Sequence, residues 1–259
     1  MRIALVIEYN GTRFSGWQRQ PGIRTVQECV ETAISAVAAT PLRVVCAGRT
    51  DAGVHALGQV VHFDSPVMRE ARAWTFGVNA NLPDDVSVVG VHEVGDDFHA
   101  RFSATRRHYR YVIFNRDVRP AVLAGRVSWV YRPLDEARMA QAAVTLLGEH
   151  DFSSYRAYAC QAKNPVRTVY SLEVARHGPF VTIDVIANAF LHHMVRNIAG
   201  VLIDIGAGKQ SPQWAGAVLE ARDRQLGGVN APPHGLYFVG VQYPELHGVP
   251  YVAPPPQFW

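Results

Sequence analysis

The chain has 259 residues, 48% hydrophobic and 18% charged, and 25 Lys and Arg against 22 Asp and Glu give a formal net charge of +3. That supports a full buried core in one large or two modest domains, and reads as an ordinary globular chain. Cys29, Cys46 and Cys160 are odd in number and carry no CxxC or CxxH spacing, which excludes a disulfide framework and a thiolate metal centre.

The opening run MRIALVIEYNGT reaches Glu8 and a turn too soon for a signal segment, and no stretch approaches membrane-spanning length. A cytoplasmic protein without a membrane partner is expected. The periodicity predicts a strand over 3–8, a turn at Asn10-Gly11, and a helix opened by Thr25 with Val26, Val30, Ala33 and Val37 on one face. A strand over 43–47, a loop, a strand over 57–63, a helix over about 67–78 and a strand over 86–94 follow. The second half is predicted as a strand over 106–114, a helix over 135–147, a hairpin of 168–176 and 180–187, helices over 189–205 and 212–222, and a strand over 236–242. The economical architecture is two similar α+β halves with helices packed on one sheet face, leaving the other for a ligand. The boundaries are 1–104 and 105–248, with 249–259 as a proline-rich trailing arm.

The cations are nearly all arginine; only Lys163 and Lys209 are lysines. From Arg101 to Arg132 there are eight arginines against one acid, Asp117, with Tyr109 and Tyr111 among them. Arginine interleaved with aromatics suits phosphate and base contacts, although a solvated cationic strand edge has the same composition.

In CAGRTDAGVHALGQVVHFD (46–64), Arg49 and Asp51 lie between Gly48 and Gly53, so small neighbours leave the carboxylate accessible. An Asp beside Gly is also a common turn residue, bonding nearby backbone N–H groups. In NAFLHHMVRNIAGVLIDIG, helical spacing puts Arg196 on a face with Ala189, His193, Gly200 and Ala207, where a close-approaching element could offer a carboxylate; Asp51 is one candidate and another acid an equal alternative. His192 and His193, adjacent on that expected helix, would point about 100° apart and not chelate a metal as an i, i+4 pair does. The chain has no P-loop, no GxGxxG opening a Rossmann unit and no GxSxG elbow, so cofactor-free chemistry without a metal is expected.

Several blocks in order resemble the tRNA pseudouridine synthase A family: YNGTRFSGWQRQPGIRTVQ (9–27), GRTDAGVHALGQVVHF (48–63), NANLPDDVSV (79–88), FHARFSATRRHYRYVI (98–113), NAFLHHMVRN and HGLYFVGVQY. The resemblance spans nearly the whole chain apart from the tail. It implies two ferredoxin-like (RRM-like) halves sharing a central antiparallel sheet, and isomerisation of uridine at positions 38, 39 and 40 of the tRNA anticodon stem-loop by a homodimer. It further implies Asp51 as the catalytic acid, Tyr109 stacking on the uracil, Arg196 pairing with Asp51, and Leu236 walling the pocket. Arg49, Phe98, Arg101 and Phe102, with Lys163 of the 159–163 loop, would hold RNA; no cofactor or metal is implied. Two other readings remain on the residues alone. A non-catalytic RNA-binding protein would gain little from an acid in its groove, and an aspartate-nucleophile hydrolase would need a second acid, which Asp51 lacks within twelve residues on either side.

Overall fold

Apolar alternation makes residues 2–9 the first strand, β1 (Arg2–Tyr9), with Ile3, Leu5, Ile7 and Tyr9 buried on one face and Ala4 and Val6 on the other. The structure is a computed structural model describing residues 1–251. After β1 come α1 (Val26–Ala38), β2 (Val45–Cys46), β3 (His55–Asp64), α2 (Ala71–Asn81) and β4 (Val86–Val94). Then follow β5 (Arg106–Asn115), β6 (Ser128–Val130), α3 (Glu136–Ala143), β7 (Gly148–Asp151), β8 (Val166–His177), β9 (Phe180–Ala187), α4 (Met194–Gly206), α5 (Trp214–Ala221) and β10 (Leu236–Gln242). No helix among the described residues is long and apolar enough to cross a membrane.

The chain forms two compact units, one of Met1–Arg107 with the chain from Tyr237 on, the other of His108–Leu236. In the first, antiparallel β1 lies between β4 and β3, β2 adds to β3, and β10 runs parallel to β3 through Tyr237↔His55 and Phe238↔Ala56. Phe63, opposite Ile3, meets Trp74 of α2 edge-on at 5.2 Å, and α1 packs beside α2, so both helices lie over that face of the sheet. The second unit orders its strands β5-β9-β8-β7, with β6 parallel to β5, and packs α3 on β8 and on α4. Mixed α+β units with mostly antiparallel strands are as expected.

The differences from the sequence reading have local causes. The strand over 236–242, grouped by sequence with the second half, pairs with β3 of the first, a partnership that no local pattern records. Short β6 and β7 carry too few residues to show a period. The helix expected from 67 begins at Ala71, because Ser65 Oγ bonds both the N–H and the carbonyl of Val67 and holds the chain in a turn. The helix expected from 189 begins at Met194. Asn188 Oδ1 accepts from the Ala189 N–H at 2.7 Å, and His193 at φ 63° is left-handed, so helical geometry cannot extend back. Ala189 and His193 therefore share no helical face with Arg196, and the helical geometry invoked against a metal at His192 and His193 does not exist. Their rings lie 4.0 Å apart, centroid to centroid. Residues 252–259 of the expected proline-rich arm lie outside the described residues.

The face of β3 opposite the helices carries His62, 5% exposed, whose Nδ1 accepts from the Ala100 N–H at 3.1 Å. Burial, with His99 and Arg2 nearby and Asp64 opposing, lowers its pKa from 6.5 to about 4. The unfolded chain takes up this proton first on acidification, so stability present above pH 6.5 falls between about 6.5 and 4 and levels below. His62→Asn, which keeps an acceptor for Ala100, is expected to flatten this part of the profile of urea midpoint against pH; an unchanged slope contradicts the assignment.

Candidate active site

Each unit carries part of the expected constellation. In the first, residues 47–54 leave β2 and return into β3. The loop is tied at both ends: the Ala47 N–H donates to the Val60 carbonyl at 2.8 Å, and the Val54 N–H to the Asp51 carbonyl at 3.2 Å. Gly53 turns the chain at φ 78°. Between these ends, the Thr50 carbonyl accepts from the Trp17 N–H at 3.0 Å and the Phe14 carbonyl from the Gly53 N–H at 3.3 Å. The segment NGTRFSGW, residues 10–17, is thus the wall against which the loop stands.

Two glycines allow that approach. A Cβ on Gly11 would sit 1.9 Å from the Val54 carbonyl oxygen, and one on Gly16, at φ +90°, would sit 2.8 Å from the Thr50 carbonyl oxygen. Asp51 is half-buried, Ala52 beside it exposed, and Arg49 points out to solvent. Two residues that sequence reasoning did not single out hold this loop, Tyr9 and Gln59; the available signal was a glutamine inside the apolar run LGQVVHF.

Of the expected RNA contacts in this unit, Arg101 and Phe102 are exposed, with the Arg101 guanidinium 5.6 Å from the Phe102 ring centroid and that ring stacked on His99 at 4.3 Å. Phe98 differs. It is fully buried, its ring against Tyr243 at 5.0 Å and His247 at 5.3 Å, and its carbonyl accepts from Arg2 at 3.0 Å. A side chain so packed supports the 98–102 segment from below and presents no surface to RNA.

In the second unit, Tyr109 on β5 is buried with its ring edge-on to Phe190 at 4.9 Å. Arg196, on the first turns of α4, donates from Nε to the Ala231 carbonyl at 2.8 Å and accepts at its own carbonyl from the Ala231 N–H at 3.1 Å. Gly200, one turn on, lets the chain pass: a Cβ there would lie 1.9 Å from the Val229 carbonyl oxygen. The close-approaching element expected beside Arg196 is therefore in part the 229–231 segment.

Tyr111 takes the next residue, donating to the Pro232 carbonyl at 2.8 Å while bonded to Ser128 Oγ; burial raises its pKa, so the phenol stays neutral. Gly235 passes within a Cβ distance of 2.6 Å from the Val112 carbonyl oxygen and delivers buried Leu236. Tyr111, read from sequence with the aromatics suited to base contacts, is fully buried and serves the 228–232 segment instead, while the parts played by Phe190 and Ala231, a ring edge and main-chain bonds, were not anticipated from sequence. Lys163 is exposed in the 159–163 loop.

The chain was compared with known proteins. A family model described as tRNA pseudouridine synthase matches residues 5–103 and 142–244. Proteins named tRNA pseudouridine synthase A are similar over nearly their full length: that of Nitrosococcus oceani is 57% identical over 100% of both chains. Those of Alcanivorax borkumensis and Pseudomonas aeruginosa are 58% and 57% identical, over 96% and 98% of this chain and 94% and 90% of theirs. The solved structure titled as a Cbf5-Nop10-Gar1 complex overlaps at 13% identity and a TM-score of 0.33, over 80% of this chain and 55% of that one, a likeness too low to carry an argument. With the loop of Asp51 and, in the second unit, Arg196 and Leu236 inside the matched segments, and full-length relatives at 57% identity, the chain belongs to the tRNA pseudouridine synthase family.

Proposed function

We propose that this enzyme isomerises uridine to pseudouridine in the anticodon stem-loop of tRNA, with Asp51 as its catalytic group and with no cofactor or metal. Family membership makes it an isomerase acting on uridine in tRNA. The observation that carries the role of Asp51 is the bracing of its loop: a solvated turn aspartate needs no wall of two glycines and two cross-segment bonds to hold the carboxylate beside exposed Ala52.

The chemistry is balanced within the substrate. The C1′–N1 bond breaks, the uracil turns, C5 bonds to C1′, the C5 proton is lost to water and N1 gains one. An ionised carboxylate begins this either by attack or by removing a ribose proton. Arg196, with its Nε–H committed to Ala231, is assigned to hold the Asp51 carboxylate by its terminal nitrogens, and Tyr109 to stack on the loosened base, which tolerates rotation in its plane. Leu236 supplies apolar wall. A uridine in a stem leaves its stack first, at a cost of a few kcal/mol. Arg49, Arg101, Phe102 and Lys163 are assigned to the RNA backbone and to an unstacked base. The reading also takes the enzyme to act in the cytoplasm as a homodimer.

The test is release of tritium from uridine C5 of unmodified tRNA: wild type is expected to release it and Asp51→Ala, with its fold intact, to release none. A wild type inert on several tRNAs with anticodon-arm uridines overturns the reading. Arg101→Gln is expected to weaken tRNA binding and to reduce the slope of log K against log salt by about 1. An unchanged slope removes Arg101 from the RNA contacts.

A further inference from the structure

Gln59 is fully buried in the middle of β3, next to Val60 and Val61, where an amide is costly unless both its ends are bonded. Both are, and to the same residue: Nε2 donates to the Gly48 carbonyl at 2.6 Å and Oε1 accepts from the Gly48 N–H at 3.4 Å. Backbone pairing of β2 with β3 runs Val45↔His62 and Cys46↔Val61. Just beyond the Ala47–Val60 backbone bond that extends it, the glutamine side chain takes Gly48, gripping the chain as it turns into the loop.

Tyr9 acts two residues further on. It lies on the same face of β1 as Ile7, which is opposite Gln59, and its buried phenol bonds Thr50 Oγ1 at 2.7 Å. Burial keeps that phenol neutral, with its proton available for the bond. Gly48 and Thr50 are thus pinned from two strands of one sheet, Arg49 between them projects to solvent, and Asp51 is the next residue out.

We propose that Gln59 and Tyr9 are positioning residues, which fix the backbone at Gly48 and Thr50 and through it the place of the Asp51 carboxylate, without touching substrate. The proposal rests on the reading that Asp51 is catalytic. Its force comes from where the bonds fall: they go to the residues immediately before Asp51 and not to the sheet that Gln59 and Tyr9 belong to. Misplacement of a reacting group by about 1 Å costs about 10²-fold in rate.

The experiment uses the full chain and tritiated tRNA, measuring kcat, the Kd for tRNA and the melting temperature for Tyr9→Phe, Gln59→Leu, Thr50→Val and Thr50→Ser. Tyr9→Phe and Thr50→Val, which delete one bond from either end, are each expected to lower kcat about 10- to 100-fold while Kd moves less than about twofold. The double variant should lose no more than Tyr9→Phe alone, since that change removes the Thr50 bond together with the phenol's contact to Gln59. Thr50→Ser, which keeps the hydroxyl, should stay within about threefold of wild type. Should Gln59→Leu not fold, the Tyr9 and Thr50 variants decide alone. Values of kcat near wild type in those two, or losses that follow Kd or melting temperature only, overturn the proposal while leaving the uridine reading intact. A wild type that releases no tritium overturns that reading, and the positioning role with it.

Discussion

Asp51→Asn is expected to lower turnover by about 10²-fold or more while leaving tRNA affinity close to that of wild type, with the size of the loss reporting what the carboxylate does. The substitution keeps shape and removes charge, so the braced loop, whose bonds run through the backbone of Thr50, Asp51 and Gly53, has no reason to move. A residue acting as general base contributes about 10²–10⁴-fold, whereas loss of a covalent nucleophile costs on the order of 10⁶-fold. Single-turnover tritium release therefore separates the two roles by magnitude. Removing a negative charge lessens the repulsion of phosphate, so a raised Kd would mean that Asp51 is structural.

The second large effect is expected at a residue that has no side chain. Gly11→Ala puts a methyl 1.9 Å from the Val54 carbonyl oxygen, a backbone atom with no rotamer to escape into. The two segments must part by about an ångström, at a cost of about 3 kcal/mol or more. Gly16→Ala meets the Thr50 carbonyl oxygen at 2.8 Å and also strains φ +90°; it should cost about 2 kcal/mol and, by pushing on the residue before Asp51, about 10²-fold in kcat. Gly22→Ala is the control: φ is +70° but nothing lies within 4 Å, leaving only the left-handed penalty of about 1 kcal/mol. Urea midpoints should fall in the order Gly22, Gly16, Gly11, mildest first. Equal losses at all three would mean that backbone conformation, not the crowded wall, governs.

Periodicity reads what a segment does by itself. The alternation of Ile3, Leu5 and Ile7 and the helical stripe of Val26, Val30 and Ala33 were legible because burying one face is a local demand, met by β1 and α1. The start of α4 was not, because the residues before it, Asn188 to His193, satisfy their backbone through a side-chain acceptor and a left-handed turn, which hydropathy does not register. For the site, the accessible setting of Asp51 followed from its small neighbours. Its supports did not: Tyr9, Gly11 and Gly16 act on the loop from some tens of residues before it and Gln59 from 11 residues past Gly48, and only coordinates show that a glutamine in an apolar strand is aimed at Gly48. The aromatic Phe98 looked like its exposed neighbour Phe102 because both sit in one basic segment, yet one underlies the segment and the other caps it.

Because β10 pairs with β3 at His55, the residue after Val54, and Tyr237 stacks on the His55 ring at 4.6 Å, the loop bearing Asp51 leans on a strand synthesised long after it. On the ribosome, β1 to β4 emerge early, but their sheet stays one strand short until the whole of 108–236 has been made. Contacts of such long sequence separation form slowly and late in folding. A chain released just before residue 237 would carry every group assigned to chemistry and still lack the strand that seats the loop of Asp51, so competence waits on the making of β10.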